Sequence, residues 1–561
     1  MNSKASDDRY RTQDGLPPAE PIKSVTQSNL DAADLTTFGH EQELSRKFSA
    51  VSIFALAFTV LGTWSTFAQG LSSGLNNGGP VAILWGLMLV GVCNICVALS
   101  LGELLSSMPT SLGQAYFVFA LWQGRVGRAS SYMCAWVNTF GWWCLAASQI
   151  AFMTDFLLAM KTMFDPEWDG ASKGWVQFLI YVGITFTFTL LNAVACRRDS
   201  ILPIFNDFVG ITFTLLFVVF ILALLIVTGV KPNLNFQDAS VVFGKWINET
   251  GWPDGVVWFT GLVQSAYGLT AFDSLIHFSD ELDNPRRTGP KIMWLSVAMG
   301  WASGWVFMLV CLFCIQDWEA LANSDDIPFI PIVTGALGRN GGAVLIAVFI
   351  MNGLCQGASI VTTASRLTWA FARDGGLPFS NFLKHVNPFW KAPVRAIWTQ
   401  GVIIGLVGVL YLFSDTTLQA ILSVSTIALT ISYAMPIVTL LAVGRNHLSP
   451  GPFQLGRLGT AINVVSIIYC VITTVMFFFP GSPNPSTADM NYAIAVFGVM
   501  MIISTAFWFL RGNTQFLVSE GVIVGVRKRE QQLKDNHSEA MHRTQYELKP
   551  GAGEPERTHA R

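Results

Sequence analysis

Residues 256–278 form an apolar stretch long enough to cross a bilayer, yet it is interrupted and carries an acid. It contains Gln264, Ser265, Gly268, Thr270 and Asp273, then runs directly into Ser279-Asp280-Glu281-Leu282-Asp283-Asn284-Pro285-Arg286-Arg287. About 20 apolar residues span the hydrocarbon core as a helix. Inside that core, irregular backbone is tolerated only where protein buries it or it lines a cavity. An acid at that depth costs about 2.5–3.5 kcal/mol on insertion scales and faces a bundle interior or water. The stretch therefore needs other helices around it, and its interruption is where chemistry is expected.

The rest of the chain supplies those helices. Of 561 residues, 52% are hydrophobic and 12% charged, against about 25% charge in a soluble domain. So much apolar surface in so long a chain must face lipid. Apolar runs predict an all-α membrane protein with twelve transmembrane helices near 48–74, 80–102, 129–160, 174–195, 200–230, 254–278, 289–315, 341–371, 394–413, 416–443, 459–480 and 490–510. Residues 1–47 are polar and read as a disordered tail, and 511–561 as a second tail. An even number of spans puts both on one side. Arg125, Arg128, Arg197, Arg198, Arg286, Arg287, Lys291, Arg373, Lys384, Lys391, Arg395, Arg445 and Arg457 fall in loops on that side. Only Lys161, Lys173, Lys231, Lys245 and Arg339 fall opposite. The excess of positive charge makes the tail side cytoplasmic.

Several classes drop out. No basic cluster suits nucleic acid, and no Walker-type loop suits a nucleotide. The nine cysteines lie in or beside apolar runs and read as small hydrophobes. His277 and Asp273 alone make a poor metal site, so no cofactor and no metal is expected. The sequon Asn248-Glu249-Thr250 precedes the broken helix on the outer side and is a glycosylation candidate.

The first span is interrupted too. The apolar run 48–60 meets Leu61-Gly62-Thr63-Trp64-Ser65-Thr66 before a second half that ends near Gly74. Spans 1 and 6 occupy corresponding positions of two five-helix halves. This predicts a five-plus-five inverted repeat with a binding site between broken helices 1 and 6. Freed N–H groups at a half-helix start hold a carboxylate. Freed carbonyls and hydroxyls hold an ammonium, and Trp64 and Tyr267 offer π faces to a cation. The same glycines also permit close helix packing. Asp273 has three readings: substrate ammonium partner, proton carrier, or structural partner of another helix. Asn352, Gln356, Ser359 and Thr363 share one face of span 8, where they line the cavity or bond a neighbouring helix. Trp142 and Trp143 in span 3 are either cavity wall or lipid-facing belt.

Three motifs carry a resemblance. Ser100-Leu101-Gly102-Glu103-Leu104 with Met108-Pro109-Thr110-Ser111-Leu112-Gly113-Gln114-Ala115-Tyr116 is similar to the segment after helix 2 of amino acid–polyamine–organocation permeases. Ser279-Asp280-Glu281-Leu282-Asp283-Asn284-Pro285-Arg286-Arg287-Thr288-Gly289-Pro290 resembles the loop after their helix 6. Ser365-Arg366-Leu367-Thr368-Trp369-Ala370-Phe371-Ala372-Arg373-Asp374-Gly375-Gly376-Leu377-Pro378 resembles the end of their helix 8. The likeness covers about residues 45–510 and points to the fungal amino acid/choline group, which includes γ-aminobutyrate and choline permeases.

The resemblance implies alternating access by a secondary active transporter in the plasma membrane, not an enzyme. Its expected partners are an amino acid or related amine, a coupling proton and the bilayer. The alternative is a non-transporting nutrient receptor on the same scaffold. The implied substrate site comprises Gly62, Thr63, Trp64, Ser65, Trp142, Tyr267, Gly268, Thr270, Asn352 and Gln356. Coupling or gating falls to Asp273, Glu281, Arg286 and Arg287, with Asp280 and Asp283 joining ion pairs at an inner gate. Two departures stand out. Trp64 replaces the second glycine of a Gly-Ser/Thr-Gly run, which leaves room for a cationic headgroup. Residues 208–230 contain no lysine to stand in for sodium. Residues 161–173 contain no cysteine, so a disulfide-linked heavy chain is not expected.

Overall fold

Burial differs widely among the long apolar helices of the structure, a computed structural model. It describes residues 31, 35–316, 318, 321, 327–412, 417–486, 490–518, 522, 524 and 531, with backbone alone at 417–422. The chain runs through α1 (Ala50–Leu61), α2 (Thr63–Gln69), α3 (Leu71–Asn76), α4 (Gly79–Ser107), α5 (Gln114–Leu121), α6 (Gly124–Phe164), α7 (Gly174–Ala195), α8 (Ile201–Val230), α9 (Ala239–Gly244) and α10 (Asp254–Gly268). A 3-10 turn (Phe272–Phe278) follows. Then come α11 (Pro285–Cys314), α12 (Phe329–Leu337), α13 (Arg339–Arg373), α14 (Ser380–Leu383), α15 (Val394–Val407), α16 (Thr417–Val443), α17 (Gly459–Met476) and α18 (Ala493–Phe507).

Among the described residues, eleven helices are long and apolar enough to cross a membrane. The segment predicted as the sixth span is not one of them, because α10 stops at Gly268 and the backbone turns left-handed at Ala271, φ 80°. The first span breaks at Gly62, whose φ of 52° ends α1 and starts α2. In the most apolar window of α8 only 28% of residues are buried, against 78% for α1–α2 and for α6. On α8, Phe208, Ile211, Leu215, Leu222 and Ile226 point outward at three-, four- or seven-residue spacing, which is one helical face for lipid. The broken pair, α6 and α13 form the buried centre.

Close packing fixes the upper half of helix 1. Gly300 and Gly304 of α11, four residues apart, face α2. A Cβ on Gly304 would sit 2.7 Å from Thr63 Cγ2 and 2.8 Å from Phe67 Cε2. This is the small-residue interface that lets membrane helices approach.

The N-terminal tail is shorter than predicted. Leu35, Phe38, His40 and Leu44 are buried, and the N–H groups of Lys47 and Phe48 both reach the Glu281 carbonyl. A few apolar residues spread through a polar segment suffice to dock it, and average composition hides them. At the other terminus Phe516 and Leu517 are buried, and Leu517 N–H donates to the Asp374 carbonyl at 3.0 Å. Residues 1–30 and 532–561 of the two predicted tails lie outside the described residues.

Candidate functional site

At the first break, α13 reaches in. A Cβ on Gly62 would lie 2.0 Å from Gln356 Nε2, so the amide occupies the space a side chain would take. Ser65 Oγ lies 2.9 Å from the Gly62 carbonyl and 3.1 Å from Gln356 Oε1. The Gly62 carbonyl also accepts from Thr66 N–H and Thr66 Oγ1. The N–H groups of Thr63, Trp64 and Ser65 precede this first closing bond and so lack an intrahelical acceptor. The side chains of Thr63 and Trp64 point elsewhere. Thr63 faces the α11 glycines. Trp64 is fully buried, with its ring centroid 4.9 Å from Phe213, 5.1 Å from Phe307, 5.9 Å from Phe220 and 6.0 Å from Phe349.

The second break is lined by hydroxyl, carboxylate and imidazole groups. Tyr267 OH meets Ser148 Oγ at 2.7 Å, tying the end of α10 to α6. Thr270 Oγ1 donates back to the Ala266 carbonyl. Ala271 is a non-glycine residue at positive φ, a conformation that costs about 1–3 kcal/mol and collects at functional sites. Its N–H donates to Tyr433 OH at 3.1 Å, and that phenol donates to Asp273 Oδ1 at 2.7 Å. Asp273 is completely buried. Its Oδ2 accepts from Gln114 Nε2 at 2.7 Å and Trp142 Nε1 at 3.2 Å, and faces His277 Nε2 at 3.3 Å. Asn138 holds Gln114 in place at 2.9 Å, and His277 Nδ1 lies 3.0 Å from the Ser111 carbonyl. Among the described residues no lysine or arginine pairs with Asp273.

Below both breaks lies an ion-pair network. Glu281 meets Arg366 Nε at 2.8 Å and Lys47 Nζ at 2.9 Å. Asp280 meets Arg373 at 2.7 Å, and His40 lies 3.6 Å from Asp374. Burial opposes the Glu281 carboxylate, but Arg366 and Lys47 outweigh it and hold the carboxyl at about 2. Burial pushes the Asp374 carboxyl up to about 7, in spite of Arg373. Burial, then Arg373, pushes the His40 imidazole well below its ordinary value.

The predicted ion pairs are thus re-partnered. Asp280 and Glu281 are paired, but with Arg373, Arg366 and Lys47. Arg286 Nε donates to the Ser106 carbonyl at 2.9 Å, while Arg287 and Asp283 are exposed. The span-8 stripe divides likewise. Gln356 turns to the Gly62 break, whereas Asn352 bonds Thr212 and Ser359 bonds Asn206, both on α8. Trp142 reaches Asp273, and Trp143 bonds Thr368 Oγ1 instead. The Asn248 amide nitrogen donates to the Trp252 carbonyl and Asp254; a glycan would take one of its two hydrogens and so displace one of these bonds. Sequence reasoning missed Tyr433, Gln114, Lys47 and Arg366 as site residues. Arg366 had a signal: a lone arginine within an apolar span.

Comparison with known proteins identifies the family. The sequence profile of the family described as Amino acid permease matches residues 48–502. A protein named Choline transporter from Saccharomyces cerevisiae is 30% identical over 501 residues, 89% of this chain and 86% of the relative. The amino-acid permease BAT1 of Arabidopsis thaliana is 27% identical over 496 residues, 86% of this chain and 95% of the relative. An uncharacterized amino-acid permease of Schizosaccharomyces pombe is 27% identical over 524 residues, 91% of this chain and 92% of the relative.

Proposed function

The chain belongs to the amino acid permease family and is a multi-pass membrane transporter; from that premise we propose that it carries an amino acid or related amine, such as γ-aminobutyrate or choline, in symport with a proton. The full reading is twelve spans in a five-plus-five inverted repeat over residues 48–510, with both tails cytoplasmic and the protein in the plasma membrane. Substrate sits between the Gly62 and Gly268 breaks, where Ser65, Gln356 and the orphan N–H groups of α2 meet its polar end. Glu281, shared by Lys47 and Arg366, ties the tail side shut.

The observation that carries the proton coupling is the partner set of Asp273. The Ser111 carbonyl can only accept, so the His277 nitrogen facing it bears a hydrogen. The other ring nitrogen faces a carboxylate oxygen, and two lone pairs there would repel unless a proton lies between them. Tyr433, Gln114 and Trp142 also place three donors on Asp273. We read this His277–Asp273 contact as the place where the coupling proton is held. Removing it sets a lone pair against the carboxylate and drives the two apart. Tyr433 links that event to the Ala271 N–H at the break, so proton loading and site geometry change together.

The test is uptake of labelled substrate into vesicles reconstituted with the protein under an imposed pH gradient. A competition panel of amino acids, γ-aminobutyrate, choline and polyamines identifies the substrate. Asp273→Asn is expected to abolish gradient-driven accumulation while leaving expression and substrate exchange intact. Unchanged accumulation by that variant rules out the proton role.

A further inference from the structure

Away from the breaks, the tail end of the bundle carries a second built cavity. It measures 590 Å³ and is walled by Trp136 and Trp143 of α6, Phe379, Phe382 and Leu383 of the segment joining α13 to α15, and Ile403 of α15. That wall is almost wholly apolar. A second cavity of 290 Å³ adjoins it, since Leu377, Pro378 and Phe379 line both, and it ends on Arg511.

The joining segment does not hide its rings. Phe379 is 76% exposed and Phe382 54% exposed. Phe379 sits at φ 58°, an outlying conformation for a bulky residue. In water such rings would be a liability; beside a bilayer they have a phase to enter. On α15, next to Ile403, Val402 and Leu406 are also mostly exposed, so the cleft opens towards lipid.

One cation lies beside each of the two cavities. The Arg395 guanidinium lies 4.4 Å from the Phe382 ring centroid and donates to the Phe382 carbonyl at 3.3 Å. Arg511 lines the adjoining cavity. Both arginines are exposed, and among the described residues no carboxylate forms an ion pair with either. Two exposed cations thus flank the apolar floor, one beside Phe382 and one on the adjoining cavity.

We propose that this cleft binds one phospholipid with an anionic headgroup. An acyl chain lies against Trp136, Trp143 and Ile403, and the phosphate meets the arginine rim. The volume falls within the roughly 300–1,000 Å³ of a small-molecule site. Guanidinium groups hold phosphate by paired, charge-assisted hydrogen bonds. A sterol would fill the floor but give the two arginines no anion. Occupancy bears on α6 and α13 together, because the Trp143–Thr368 bond between them forms part of the wall.

Native mass spectrometry of the purified full chain, with phosphatidylglycerol or phosphatidylcholine of identical chains added, tests the site. The wild type is expected to retain phosphatidylglycerol on the order of tenfold more, given the attraction of two arginines for an anionic lipid. Arg395→Gln with Arg511→Gln is expected to erase that preference while leaving the melting temperature unchanged. Ile403→Trp, which fills the floor, is expected to lower retention of both lipids. Equal retention by the wild type overturns the proposal, as does a preference that survives the double substitution. Displacement of the phospholipid by added sterol overturns it as well.

Discussion

The two helix breaks are closed by different chemistry. Around Gly62 the contacts are uncharged: the Gln356 amide, the hydroxyls of Ser65 and Thr66, and main-chain carbonyls. Around Ala271 the partners are a phenol, a carboxylate and an imidazole. A break held by amides and hydroxyls can grip a ligand with little response to pH. On the proposed reading, a break wired to Asp273 and His277 changes its hydrogen bonds when a proton leaves. On the proposed reading this difference divides labour within one site, with binding on one side and energy coupling on the other.

The sharpest way to break this comparison is to unwire the second side. Tyr433→Phe removes the one group among the described residues bonded to both Ala271 N–H and Asp273. It is expected to cut pH-driven accumulation by about 10–100-fold, within the usual range for a positioned proton-transfer group, and to leave affinity measured by exchange nearly unchanged. A parallel fall in affinity would show that both breaks bind substrate equally.

Next in size is Glu281→Gln, which leaves Lys47 and Arg366 buried without their shared acid. Breaking a buried pair costs about 3–5 kcal/mol, read as a lower thermal midpoint of the purified protein. Because Glu281 is held at about 2, its contribution is present above the ordinary carboxylate range and is lost only as pH falls towards 2. The wild-type midpoint should therefore show no loss from this group between pH 5 and 8.

On the first side, Gly62→Ala imposes a left-handed alanine, about 1–2 kcal/mol, and drives a methyl into Gln356. Apparent affinity is expected to fall about tenfold with the pH profile intact. Gln356→Ala added to it is expected to restore part of the loss. A changed pH profile would mean that this break is coupled to the proton as well.

The smallest effect lies in the docked terminus. With Asp374 raised to about 7, the folded protein keeps a proton that the unfolded chain has released, so stability falls as pH rises from about 4 to 7. His40 has the opposite sign. It stays neutral when folded, so stability falls as pH drops below its unfolded value of about 6.5. Asp374→Asn is expected to flatten the first slope of the melting curve and leave the second.

Much of this architecture was legible. Apolar run length located the spans, and glycine with hydroxyl residues located both breaks. Two kinds of detail were not. Helical periodicity put Asn352 and Gln356 on one face but could not say which neighbour that face meets. In the fold Asn352 meets α8 while Gln356 enters the break. Pairing across the chain was equally hidden: Tyr433 lies 160 residues from Asp273, and no local pattern joins them. Arg286 and Arg287 attracted the gate assignment because they adjoin the acids in sequence, whereas folding brings Lys47 and Arg366 closer.

One acid held by two cations also has a consequence for sequence drift. Losing Lys47 or Arg366 leaves a neutral pair, and a substitution at either is open to repair by the other. Losing Glu281 strands two positive charges at once, with no single compensating change. Across related chains the acid should therefore be the fixed member of the trio, while the two bases vary in turn.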